Sequence, residues 1–435
     1  MAAAMVAAAS MSACAGPGGG APAAEVSPTS VRTDVGEQEA TVTLFTAAGL
    51  EDYQQALADA FMKEHPAITV DLQVEADNNY NTVLPRLLAS DSPPDLALVG
   101  DLSGAVRDGL VTNLDAYDEA YGWREKVPAS VLDAGRVQDG EIGSGPLYVG
   151  GGAAGPLTGV FYNRDLAKKV GMKTIPKTLD EWEAVMAEAK SMGITPIVAS
   201  NADGLVGHLY NLLLGDYMGP QSVLDVAWRK PGASLDTTEA TEATARLQKW
   251  ADSGYFNKDV NAINQDASYG RFAAGKGLFM VQGSWMTQSL PTSFDGDYGV
   301  FPLPPREAGG PPISMTANTL AFSIAARSDR KDSAALFLDF LTSPEAAEVA
   351  TENGYPAANA TDQDPLTLDA DVESQIQAGY AAVTAADGFF TWIQNSVPAV
   401  NIDLPAQLQL LLSGKAEPED VVEHLQKSYQ SGLQD

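Results

Sequence analysis

A chain of 435 residues that is 45% hydrophobic and 19% charged has apolar material for two or three compact units and is neither fibrous nor mainly disordered. Lys and Arg number 26 against 57 Asp and Glu, a net charge of −31, so the surface repels phosphate backbones and anionic headgroups, and nucleic-acid binding is set aside. One Cys and three His in the whole chain rule out a disulfide framework and thiolate zinc sites, which leaves carboxylates, amides and aromatic rings to make a site.

Residues 1–13, MAAAMVAAASMSA, are small and apolar but fall short of the ~20 residues that span a bilayer. Ending in Met11-Ser12-Ala13 before Cys14, the run resembles the end of a bacterial lipoprotein signal peptide. That resemblance implies that Cys14 becomes the new N-terminus and carries lipid on its sulfur. The alternative is a free or buried thiol. AGPGGGAPAAEVSPTS follows, without helix or strand period, and reads as a tether. Residues 1–35 are thus signal remnant, lipobox and flexible tether, and a soluble body begins at 36.

In that body, Val42 and Leu44 alternate within TVTLF and the pattern breaks at Ala47-Ala48-Gly49, as a half-buried strand ends in a turn. Tyr53, Leu57, Ala60 and Phe61 fall at i, i+4, i+7 and i+8, one helical stripe that stops at His65-Pro66 because the residue before proline disfavours helix. Ile68, Val70, Leu72 and Val74 then alternate with polar residues, Tyr80 to Ala89 read as helix, and Leu96-Ala97-Leu98-Val99 is a buried strand ending at Gly100-Asp101. Strand, helix, strand, helix, strand predicts an α/β layer with a mostly parallel sheet.

A second α/β region starts near 156 with the strand Val160-Phe161-Tyr162. Thr178-Leu179-Asp180-Glu181 matches a capping box, and Trp182, Val185, Met186 and Ala189 continue the helix to a stop at Gly193. Gly277 to Val281 is apolar and closes at Gly283-Ser284-Trp285, while Pro302 to Pro312 is too rich in proline to be an element. Leu320 to Ile324 reads as a strand. Phe337, Phe340 and Leu341 mark a helix, Ser343-Pro344 caps the next one, which Gly354 ends, and a last helix starts near Pro418. Gly150, Gly152 and Gly155 satisfy G-x-G-x-x-G, but an apolar strand follows where a nucleotide site needs a helix N-terminus, so no dinucleotide fingerprint is read. No P-loop, H-E-x-x-H or G-x-S-x-G motif occurs, and no cofactor or metal is called for.

Five stretches, in this order, resemble the extracellular solute-binding proteins of bacterial ABC importers, in the carbohydrate-binding group that includes maltose-binding protein. They are ALADAFMKEHPAITVDLQV, PPDLALVGD, VFYNRDLAKKVGMKTIPKTLDEWE, KGLFMVQGSW and FLDFLTSPEAAEVATENGYPAA. The resemblance implies an α/β, two-lobed periplasmic-binding-protein-like fold, each lobe a mostly parallel sheet flanked by helices, hinged by multiple crossovers. Lobe 1 is expected at 36–155 plus 314–355 and lobe 2 at 156–313 plus 356–435, with crossings near Gly152–Gly155, around 305–315 and near Pro356. It further implies an extracytoplasmic, lipid-anchored monomer that binds a carbohydrate in the interlobe cleft and hands it to ABC permease transmembrane subunits.

Sugars present hydroxyls and flat C–H faces, so a sugar cleft needs Asp, Asn or Glu beside aromatic rings. Asp101, at the carboxyl end of a buried strand, matches a position where the family has a hydroxyl-binding Asp; it equally suits a helix N-cap. Trp285 matches a stacking Trp, and the adjoining Gly-Ser turn favours an exposed ring. Trp392 is a second stacking candidate with a core role as its alternative. Tyr53 fits its helix's apolar stripe better than a cleft. Tyr148 precedes the first crossing, and His208 and Asn318 complete the set. Gly155-Pro156-Leu157 stands where a maltose site has an acidic residue, which argues against maltose itself. Two rivals stay open: a binding protein for another solute such as a polyamine, and a secreted carbohydrate-active enzyme with paired carboxylates.

Overall fold

The computed structural model describes residues 30–127, 129–152, 154–289, 297–315, 321–356 and 366–433. Cys14 and Asn318 lie outside the described residues. Strands β1 (Ala40–Ala47), β2 (Ile68–Glu75), β3 (Leu96–Ala97), β4 (Arg136–Gln138), β5 (Glu141–Leu147), β6 (Gly150–Gly151), β7 (Thr158–Asn163), β8 (Phe279–Gly283), β9 (Tyr298–Phe301), β10 (Ser314–Met315), β11 (Ala321–Ile324) and β12 (Phe389–Phe390) build two α/β bodies.

The first body is a sheet ordered β2-β1-β3-β11-β6. The alternation read in β2 is matched by its register, Val42 opposite Val70 and Leu44 opposite Leu72 in parallel pairing. Helix Glu51–Glu64 connects β1 to β2 and buries Tyr53, Leu57 and Phe61, the stripe expected of an amphipathic crossover. β3 also runs parallel to β1, whereas β11, entering from far along the chain, is antiparallel to β3 and β6. Asp95 ties this sheet together: its carboxylate accepts from the Thr43 amide at 2.9 Å and from the Ser328 hydroxyl at 2.6 Å.

The second body centres on β7, flanked by β8 and β9. Here the expectation of a mostly parallel sheet is corrected, since β7 pairs antiparallel with both neighbours. Apolar runs reveal that a strand is buried but not its direction, which follows from how the connecting helices return the chain. A parallel bridge, Ile197 to Phe279, extends the edge. Helix Leu179–Ser191 starts at its cap, where the Thr178 hydroxyl accepts from the Glu181 amide at 3.2 Å. The Glu181 carboxylate accepts from Lys177 N–H at 2.8 Å, one residue earlier than the reciprocal capping box places it. Trp182, Trp250 and Phe279 meet edge to face in the core.

The chain passes between bodies in several places. It leaves β6 for β7, and later runs from Met315, packed in the second core, to β11 in the first sheet. β10 pairs with β12 in the second body. Beyond Tyr355, buried in the first core, helix Val372–Ala385 packs Ile376 and Val383 under the second sheet. Neighbouring passages are fastened to each other. The Gly155 amide donates to Pro356 O at 3.3 Å, and the Ser284 hydroxyl donates to Gly354 O at 2.9 Å while accepting from the Leu157 amide at 3.2 Å.

One hairpin escaped sequence reading. β4 and β5 pair across Asp139-Gly140, both at positive φ, the conformation that a two-residue hairpin turn requires. The Ser103 hydroxyl donates to Gly140 O at 2.8 Å, fixing the hairpin beside helix Leu102–Arg107. Among the described residues no helix is long and apolar enough to cross a membrane.

Candidate functional site

Three residues singled out in the sequence come together on the second body. Trp285 follows β8 in a turn and is half-buried, and it packs against the hydrophobic cores of both bodies. His208 lies 5.6 Å from it, ring centre to ring centre and edge to face, and 6.0 Å from Trp392, while the two indoles are 6.4 Å apart. The trio is a contiguous aromatic cluster in which Trp285 meets the cores of both bodies while His208 and Trp392 are buried.

The backbone dictates how Trp285 sits. A Cβ on Gly283 would lie 2.0 Å from Cζ3 of the indole, so only glycine lets the ring fold back over the end of its own strand. The chain between the two residues is pinned by Ser284. Burial pushes the Tyr269 phenol well above its ordinary pKa.

His208 comes from helix Val206–Met218, which is apolar on nearly every face and buried through most of its length. Its Nδ1 donates to Gln282 Oε1 at 3.1 Å. Burial pulls the imidazole down to about 4, the Gln282 hydrogen bond and the Asp203 charge opposing only in part, so the ring is neutral at pH 7. Trp392 begins the turn Ile393–Asn395. Asn211, one helical turn beyond His208, holds that turn. Its carbonyl accepts from the Ile393 amide at 2.9 Å and its amide donates to Gln394 Oε1 at 3.0 Å and to Gly207 O at 2.8 Å. Trp392 is 9% exposed, and its indole N–H has no acceptor among the described residues.

The remaining candidates are placed elsewhere. Asp101 N-caps helix Leu102–Arg107, accepting from the Gly104 amide at 3.1 Å, and its Oδ1 lies 3.4 Å from Nη2 of Arg229 on the second body. Tyr53 is fully buried and stacks on Tyr355 with ring centres 4.3 Å apart, the core role its stripe favoured. Tyr148 is 5% exposed and packs with Phe45 and Tyr80. Neither tyrosine joins the ring trio. Two residues past Trp285, Thr287 lines a cavity of about 250 Å³ with Asp52, Asn353, Pro356, Glu373 and Gln377, residues of both bodies. Among the described residues no group of three or more His, Cys, Asp or Glu could hold a metal.

Asn211 and Gln282 were missed by sequence reasoning although each leaves a trace, a lone amide inside an apolar helix and inside an apolar strand. Arg229, held at a φ of 57°, leaves none.

Two α/β bodies joined by repeated crossings, with an aromatic wall where they meet, define a two-lobed solute-binding protein. A sequence profile described as bacterial extracellular solute-binding protein matches residues 47–348, and the chain belongs to that family. It is similar to a putative binding protein of Brucella abortus, 25% identical over 401 residues that cover 89% of this chain and 91% of the relative. It is also similar to the diacetylchitobiose binding protein DasA of Streptomyces coelicolor, 24% identical over 411 residues, 90% of this chain and 89% of the relative. Among solved structures, a chitin oligosaccharide binding protein superimposes with a TM-score of 0.71 at 20% identity, covering 91% of this chain and all of that one, 100%; that likeness speaks for the fold.

Proposed function

We propose that this protein is the substrate-binding subunit of an ABC importer, capturing a mono- or oligosaccharide between its lobes and delivering it, chemically unaltered, to membrane permease subunits. The observation that carries the reading is the ring trio of His208, Trp285 and Trp392 at the junction of the two bodies. The half-buried Trp285 offers a flat apolar face that suits the C–H face of a pyranose, with the buried His208 and Trp392 packed against it. The cavity beside Thr287, lined by Asp52, Asn353, Glu373 and Gln377, supplies the carboxylates and amides that hydroxyls require. The names of two relatives, one for diacetylchitobiose and one for chitin oligosaccharide, support a saccharide.

Titration calorimetry with diacetylchitobiose, maltotriose and spermidine tests this, with mass spectrometry of the recovered ligand. Saturable binding of a saccharide that is recovered intact is the expected result. Binding of spermidine alone moves the reading to the polyamine class, and cleavage of the glycosidic bond makes the protein an enzyme.

The protein acts in this reading as a monomer outside the cytoplasm, held at the membrane's outer face by lipid on Cys14. In cells of the source organism Cys14→Ala then shifts the protein from the membrane fraction to the medium; an unchanged distribution on immunoblots refutes the anchor.

A further inference from the structure

The geometry points to Arg229 as an interlobe latch, a positioning residue that couples closure of the two lobes to the seat of Trp392. This rests on the two-lobed capture reading above and adds a residue to it. Two contacts converge on the side chain, and the backbone beneath it is itself unusual. Its Nε donates to Ser396 O, at the end of the turn that Trp392 begins. Its Nη2 lies 3.4 Å from Oδ1 of Asp101 on the other body. Its own backbone stands at a φ of 57°, a conformation that L side chains other than Asn and Asp seldom adopt, and one that turns the chain sharply after helix Pro220–Ala227.

Both faces of this contact are braced. On the first body Asp101 is fixed by its cap to Gly104, and the Ser103 hydroxyl anchors the β4–β5 hairpin at Gly140. That hairpin also crosses to the second body: a methyl group added at Gly143 would lie 3.3 Å from Cε3 of Trp228 and 3.2 Å from Nζ of Lys230. The segment Trp228-Arg229-Lys230 therefore meets the first body along two elements, with one ion pair among these contacts. The Arg229 side chain is 20% exposed and that of Asp101 57%, so water reaches the pair and salt screens it. Such a contact is strong enough to bias an open–closed equilibrium and weak enough to be released, which a protein that must yield its ligand requires.

Small-angle X-ray scattering of the ligand-free full chain tests the latch without reference to any sugar. Arg229→Asp keeps a residue that tolerates positive φ and leaves the Asp101 cap intact. It is expected to enlarge the radius of gyration, as 1 M salt does for the unmodified protein. The swap Asp101→Arg with Arg229→Asp is expected to restore the compact value. With diacetylchitobiose as probe, Arg229→Asp speeds dissociation roughly two- to fivefold, and its near-ultraviolet circular dichroism changes as the Trp392 turn loses its clamp. An unchanged radius in Arg229→Asp, or a swap variant as expanded as the single variant, overturns the latch. Failure of diacetylchitobiose to bind any variant counts against the saccharide reading while the scattering result stands.

Discussion

Trp285→Ala lowers saccharide affinity roughly 10- to 100-fold, a loss of about 1.4–3 kcal/mol typical of a buried aromatic anchor. The ring packs against the cores of both bodies. Its removal takes the stacking face from the ligand and exposes the neighbouring rings of His208 and Trp392 to water. A second variant separates the ring's position from its presence. Gly283→Val keeps all three rings, but its Cβ would stand 2.0 Å from the indole, and the ring must leave its seat. Both variants are therefore expected to bind a saccharide with comparably reduced affinity in calorimetry, with a far-ultraviolet circular dichroism spectrum like that of the parent. If Trp285→Ala instead binds normally and only melts earlier, the ring belongs to the core and the wall lies elsewhere.

Much of the first body can be read from residue types because local physics governs it. Ile68, Val70, Leu72 and Val74 can satisfy alternation only as a strand. Thr178 and Ser343 carry hydroxyls where helix amides need acceptors, and the structure has both as N-caps. Aromatic candidates for the wall were legible for a related reason: Trp285 stands next to glycine and serine at the end of an apolar run, a setting that signals a ring at a turn. What could not be read depends on separation along the chain. The antiparallel direction of β8 and β9 is decided by helices and turns between them and β7. The Asp101–Arg229 contact joins residues 128 positions apart, and an Asp before a helix looks the same whether it caps, binds a hydroxyl or faces a cation across a cleft. Asn211 and Gln282 were visible as oddities in apolar segments, but their partners, the Trp392 turn and His208, exist only once the chain has folded.

The buried imidazole at the wall gives the protein an acid-sensitive stability that one substitution should remove. His208 has its pKa depressed to about 4 by burial, whereas in the unfolded chain an imidazole titrates near ~6.5. Between these values the unfolded state binds a proton that the folded state refuses, so stability is complete above about pH 6.5 and falls as the pH drops toward about 4, with no further loss from this group below it. Integrated over that window the loss is roughly 3 kcal/mol, larger than one surface ion pair provides. His208→Gln retains a donor for Gln282 and cannot titrate. Urea unfolding at pH 7.5 and pH 4.5 should therefore show the parent losing roughly 2–3 kcal/mol more than the variant across the two conditions. Carboxylates elsewhere weaken both proteins alike and cancel in the comparison. Equal losses in the two proteins would mean that His208 is protonated in the fold without penalty, and that the ring trio is open to water rather than sealed behind Trp285 and Trp392.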